Sequence, residues 1–100
     1  MFINWSELLG TLKRSSNLIG NTNPKMLEAY RGLAAAQGSN GALDAKTREL
    51  IAIAVAVTTH CDGCIVVHTD AALKAGATKE EISEALGVAV AMNAGTALIY

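Results

Sequence analysis

Apolar residues recur along most of this chain every three or four positions, the period of a helix with one buried face. Trp5, Leu8, Leu9 and Leu12 begin the pattern and predict a first helix from about Trp5 to Leu18. Gly20-Asn21-Thr22-Asn23 breaks it. Asn23 is a good N-cap and Pro24 suits the first helical position, so a second helix is predicted to about Gln37, with Leu27, Tyr30, Leu33 and Ala34 on one face. Gly38-Ser39-Asn40-Gly41 reads as a loop, and Asp44 as the cap of a third helix from Ala45 to about Thr59. A fourth helix starts near Cys61 or Asp62 and ends at Gly76, a residue suited to a left-handed C-terminal cap. Thr78-Lys79-Glu80-Glu81 has the form of a capping box, in which Thr78 accepts from the Glu81 amide and the Glu81 carboxylate reaches back. Ile82, Leu86, Ala89, Val90 and Asn93 then carry a fifth helix.

One stretch fits a strand as well. Ile51-Ala52-Ile53-Ala54-Val55-Ala56-Val57 alternates large and small residues, and its β-branched side chains favour extended backbone. A strand followed by Cys-x-x-Cys and a helix is the thioredoxin arrangement. Against it, the one proline is Pro24, far from the place beside the disulfide where thioredoxin-like folds put a cis-proline. The residues between the cysteines are Asp62-Gly63, and no other segment supplies a good partner strand. The expectation is an all-α bundle in which this helix, apolar on every side, is central and buried.

Composition narrows the picture further. A chain of 100 residues is expected to form a single domain, residues 1–100, with no internal repeat or long linker. Hydrophobic residues make up 51% and charged residues only 17%, against roughly 25% charged in ordinary globular domains. A chain this short leaves much of its surface uncovered, so apolar surface is expected to be buried against further copies of the chain. The fifth helix is the leading contact: Ala85, Ala89, Ala91, Ala94 and Gly95 permit close approach, while Leu86, Val88, Val90 and Met92 offer apolar surface. The first helix, with Trp5, is the second candidate. A net charge of -1 without like-charge blocks recommends neither nucleic acid nor an anionic membrane as partner. The start lacks a basic segment followed by an apolar run, and the unbroken run Leu50 to Val57 is far below the ~20 residues of a spanning helix. These features suggest a cytoplasmic protein, and in a reducing compartment two close cysteines point to catalysis or metal binding.

Cys61 and Cys64 lie three apart. At a helix start that spacing puts both sulfurs on one side of the first turn, within reach of a disulfide, where the helix dipole favours thiolate. His68 follows Cys64 by one helical turn on the same face and could exchange a proton with its sulfur. Glu49 joins them by arithmetic. With a reversal near Thr59-His60, Glu49 lies roughly 15 Å down the third helix and His68 roughly 12 Å down the fourth. In an antiparallel pair the two side chains come level, and the carboxylate could orient the imidazole.

Glu49-(x11)-Cys61-Asp62-Gly63-Cys64-(x3)-His68 resembles the signature of the AhpD-like alkylhydroperoxidase branch of the carboxymuconolactone decarboxylase superfamily. The flanks are similar too: Arg48-Glu49-Leu50-Ile51 before, and Gly76-Ala77-Thr78 with Glu81-Ile82 after. The resemblance covers roughly Pro24 to the C-terminus. It implies an AhpD-like helical bundle with a central antiparallel helix pair, assembled as a homo-trimer or homo-hexamer. It also implies an antioxidant peroxidase with no cofactor and no metal, its disulfide recycled by a dithiol donor such as a thioredoxin-like or lipoyl protein. Cys64 would then attack the peroxide and Cys61 resolve, with Glu49 and His68 as proton relay. The best-known members carry a second histidine where this chain has Gly63, and they duplicate a core that is present here about once.

Two other readings use the same residues. Cys61, Cys64 and His68 with Glu49 or His60 are residue types that bind zinc, although no second Cys or His pair accompanies them. A decarboxylase-type enzyme without thiol chemistry is the other, although such relatives lack the cysteine pair. His60 reads as a loop residue or a second proton donor near Cys61, Asp62 as a first-turn acid, and Asn93 as a core amide or an interface hydrogen bond.

Overall fold

The computed structural model describes residues 3–100, and all regular structure among them is helical. The chain order is α1 (Trp5–Thr22), α2 (Pro24–Ala36), α3 (Ala45–Thr58), α4 (Asp62–Lys74) and α5 (Lys79–Ile99). Two compact units meet in sequence between Leu43 and Asp44.

The first unit is the α1–α2 hairpin. Asn4 caps α1, its side chain accepting from the Glu7 amide at 3.0 Å. The helix does not stop at Gly20 as its composition suggests. Thr22 Oγ1 donates to the Leu18 carbonyl at 2.9 Å and the Asn23 amide to Ile19 at 2.7 Å, so the ladder carries through to a reversal at Asn23. Asn23 occupies the capping position of α2, but its side chain makes no capping bond there; Pro24 alone supplies the start signal. Gly20 has a packing role instead: a Cβ there would stand 3.0 Å from Leu27 Cδ2. Of the predicted α2 face, Leu27 is half-buried, whereas Tyr30, Leu33 and Ala34 are exposed.

The second unit carries the chemistry. Asp44 caps α3 by accepting from the Thr47 amide at 2.7 Å, and that bond holds its carboxyl below the ordinary range. The capping box at α5 forms as predicted, with Thr78 and Glu81 each accepting from the other's amide. Glu81 also accepts from Lys46 Nζ at 2.8 Å, linking the first turns of α3 and α5. This pair lowers the Glu81 carboxyl and raises the Lys46 ammonium relative to their usual values. Depressed carboxyls stabilise the fold above their unfolded pKa, and that contribution disappears as pH falls through the folded one.

Helix α3 packs on both α4 and α5. Ile53, Ala72 and Ala77 form the buried centre, with Leu50, Ile82 and Leu86 packed around it. The alternating stretch is therefore helix, because burying Ile53 and Ala56, three apart, requires a helical face. Complete burial of α3 does not hold: Ile51 and Val55, four apart, are 49% and 55% exposed. Helices α4 and α5 cover two sides of α3, and this stripe lies on a third. Helix α5 is similarly open. Its 21-residue length and an 18-residue stretch of mean hydropathy 1.5 would suit a membrane span by composition alone, a property that counting unbroken apolar runs does not reveal.

Helices α3 and α4 both end in a Schellman turn. At α4 the Ala77 amide donates to Ala72 at 2.9 Å and the Gly76 amide to Leu73 at 3.1 Å, with Gly76 at φ +92°. At α3 the Cys61 amide donates to Ala56 at 3.0 Å and the His60 amide to Val57 at 3.3 Å. Here the left-handed slot holds His60, at φ +56°. Left-handed backbone costs a residue with a Cβ about 1–2 kcal/mol. No atom lies within 4 Å of a Cβ built on Gly76, so that cost alone decides substitution there. Gly76→Ala should therefore destabilise the fold by about 1 kcal/mol and His60→Gly should stabilise it by a similar amount. Shifts of the urea midpoint in the same direction for both variants would contradict this reading.

Candidate active site

Helix α3 descends to the Schellman turn at His60, and the chain enters α4 at once. Cys61 is the N-cap of α4: its Sγ accepts from the Cys64 amide at 3.2 Å. The three-residue spacing of a first turn brings the two cysteines to a Cα separation of 5.2 Å, and their sulfurs are joined in a disulfide. Asp62, exposed in that turn, is an acid at the positive end of the helix dipole.

His68 and Glu49, nineteen residues apart in sequence, come level across the α3–α4 pair as the helical rise predicts. His68 Nδ1 lies 2.6 Å from Glu49 Oε2, with the side chains 31% and 23% exposed. Opposite an ionised Glu49, Nδ1 carries the proton and donates, which leaves Nε2 for exchange with a substrate or sulfur. His68 follows Cys64 by one helical turn, yet no hydrogen bond joins its ring to either sulfur among the described residues. The expected chain Glu49, His68, Cys64, Cys61 thus has a gap between imidazole and sulfur in the oxidised form.

The zinc reading finds no geometric support. Among the described residues no three His, Cys, Asp or Glu side chains converge as a metal site requires, and the disulfide occupies both sulfurs.

A groove of about 580 Å3 runs between the end of α3 and the middle of α5. Val57, Leu86, Ala89 and Val90 form its apolar walls, with Thr58, His60 and Asn93 at the polar positions. Asn93 Nδ2 donates to Thr58 Oγ1 at 3.1 Å and to the Ala89 carbonyl at 2.7 Å, so this exposed amide ties α5 to α3. The His60 imidazole makes no hydrogen bond among the described residues. Sequence reasoning singled out neither the groove nor the backbone of His60. The available signal was a helix ending at Thr58-Thr59-His60 with no glycine to take the left-handed slot.

The second unit thus combines an all-helical frame, a closed cysteine pair at one helix start and a carboxylate–imidazole pair one turn deeper. The sequence pattern of the carboxymuconolactone decarboxylase family matches residues 24–100, and the chain belongs to that family. It is 51% identical over 72 residues to an uncharacterised protein of Haemophilus influenzae, a match covering 72% of this chain and 64% of that one. An uncharacterised protein encoded in the cox locus of Paracoccus denitrificans is 39% identical over 90% of this chain and 84% of its own length. The fold is similar to the apo crystal structure of a carboxymuconolactone decarboxylase family protein from Legionella pneumophila. That likeness has a TM-score of 0.85 and 38% identity, over 96% of this chain and 86% of that one. A crystal structure from Methanobacterium thermoautotrophicum is also similar, with TM-score 0.71 and 35% identity over 78% of this chain and 88% of that one.

Proposed function

We propose that this protein is a thiol-dependent peroxidase of the AhpD-like kind, working in the cytoplasm as a homo-trimer or homo-hexamer. The observation that carries the reading is the closed Cys61–Cys64 pair at the start of α4, with the Glu49–His68 pair one turn beyond. In the reduced state the sulfurs separate, and His68 can then serve the Cys64 thiol directly or through one water. The Cys64 thiol gives its proton to the relay and its sulfur attacks the outer peroxide oxygen; the O–O bond breaks, and the other oxygen leaves as an alcohol or water with the proton from the relay. The sulfenic acid formed on Cys64 is attacked by Cys61, releasing water and closing the disulfide. Two thiols and one peroxide thus give one disulfide, one alcohol and one water. A dithiol donor restores the pair by exchange. The decarboxylase reading uses neither sulfur and draws only on the family name.

The reduced protein is expected to consume one equivalent of peroxide and lose two free thiols together. Mass spectrometry should then show each chain lighter by two hydrogens, with the Cys61 and Cys64 peptides linked. A chain that keeps both thiols after exposure, or that forms only intermolecular disulfides, would end the proposal.

A further inference from the structure

We propose that the end of α5 that outruns α3 is a two-fold contact between copies of this chain, the two helices crossing at Ala94. The inference deepens the assembly read above and rests on it. It makes the oligomer a hexamer, in which two three-fold rings are joined through these crossings.

The register of α3 and α5 lays the surface bare. Lys46 Nζ meets Glu81 at 2.8 Å, and Asn93 Nδ2 donates to Thr58 Oγ1 at 3.1 Å. Both pairs are 35 residues apart, so the two helices run parallel and in step from their first turns to Thr58. Thr58 is the last residue of α3, whereas α5 continues to Ile99. Among the described residues, α3 is the one element of the second unit on which α5 packs. Residues 94–99, about 9 Å of helix, therefore project past its support. No charged residue follows Glu84, and Val90 and Leu98 are 69% and 86% exposed. A continuous apolar surface of this kind ordinarily marks an interface.

Spacing says which neighbour covers it. Val90, Ala94 and Leu98 form a ridge of residues four apart, the row that interdigitates in the commonest helix packing. The ridge is symmetric about Ala94. A two-fold axis there sets Val90 against the partner's Leu98, and Leu98 against the partner's Val90. That reciprocity is what an isologous contact requires, and this chain supplies both halves of it. Ala94 presents only a methyl group at the crossing, so the helix axes can approach to about 9–10 Å. With Cα atoms about 2.3 Å from each axis, the two Ala94 Cα atoms then stand about 5 Å apart. Val90 also walls the groove at the end of α3, so the partner's Leu98 lies along the rim of that groove.

The crossing leaves the rest of α5 free. Val88 and Met92 each lie about 160° around the helix from Val90, so their side can close a ring while this one faces a second ring. One crossing is small beside the roughly 800 Å2 per partner of a standard interface. Two facing rings make it three times at once, and contacts made together reinforce one another. The crossing therefore joins rings and does not hold two single chains together.

The test measures mass by light scattering on the full-length chain at low micromolar concentration, in its oxidised form. The wild type is expected as a hexamer. Leu98→Glu, in the part of α5 that touches no other helix of its unit, should halve that mass to a trimer with unchanged circular dichroism. Ala94→Cys gives a second reading, because facing Cα atoms about 5 Å apart suit a disulfide. Mild oxidation with copper phenanthroline should link the chains of this variant in pairs on a denaturing gel, and reductant should separate them. The native cysteines are closed on each other and do not compete. A wild type that is a trimer overturns the inference and leaves the assembly reading standing, whereas a wild type of single chains ends both. Leu98→Glu that stays a hexamer or falls to single chains, or an Ala94→Cys variant that forms no linked pairs, also overturns it. The thiol chemistry is untouched by any of these results, since closure of the disulfide by peroxide is read separately.

Discussion

Glu49→Gln and His68→Ala are each expected to lower peroxide turnover by about 100- to 10,000-fold while circular dichroism still reports the same helical content. The two side chains meet at 2.6 Å and are only half-buried. Neither belongs to the cluster around Ile53 and Ala72, so truncation should leave packing intact. The carboxylate sets which imidazole nitrogen bears the proton. Without it the ring can rotate and change tautomer, and without the ring the carboxylate has nothing to orient. Groups that act as one unit give non-additive losses, so the double variant should be little worse than either single one. Unchanged turnover in either single variant would remove that residue from the mechanism; fully multiplicative losses would mean that the two work separately.

Val88→Asp combined with Met92→Glu is expected to convert a trimer or hexamer, stable at low micromolar concentration, into single chains. Val88, Met92 and Ile99 are 58%, 65% and 87% exposed, and their spacing of four and seven residues places them along one side of α5. Burying such a side chain fully is worth about 1.5–3 kcal/mol. Two lost contacts, with two carboxylates facing an apolar partner, should weaken each interface by at least about a hundredfold. Light scattering with the wild-type chain as control measures this directly. A wild-type chain that is already monomeric would refute the assembly, and an unchanged oligomer in the variant would move the contact to another surface, with the face around Trp5 next in line.

The helices were legible from local signals because each acts over three or four residues. Asp44 before Thr47 and the Thr78–Glu81 box fixed two starts, and the caps seen are the caps read. The level meeting of Glu49 with His68 was also legible, since helical rise and a short reversal determine it. Three features escaped. Helix α1 ran on through Gly20–Thr22 because the glycine answers to Leu27 on the next helix, a contact between residues no local window joins. Ile51 and Val55 remain open because hydrophobicity on all sides of a helix says nothing about how many neighbours will cover it. The left-handed His60 escaped because helix ends are recognised by glycine, and here the slot is filled without one.

The abrupt reversal between α3 and α4 acts as a ruler. Only Thr59, His60 and Cys61 separate the last residue of α3 from the first of α4, and each is pinned by a backbone bond into the end of α3. A residue inserted there would break this set of bonds and change how α4 is set against α3. Such a change would carry His68 off the face that meets Glu49 even if both helices and the disulfide formed normally. The site is therefore phased by connector length, and this joint is among the least tolerant of insertion in the chain. The exposed Ser39–Gly41 bend, which positions none of the four site residues, can lengthen without disturbing them.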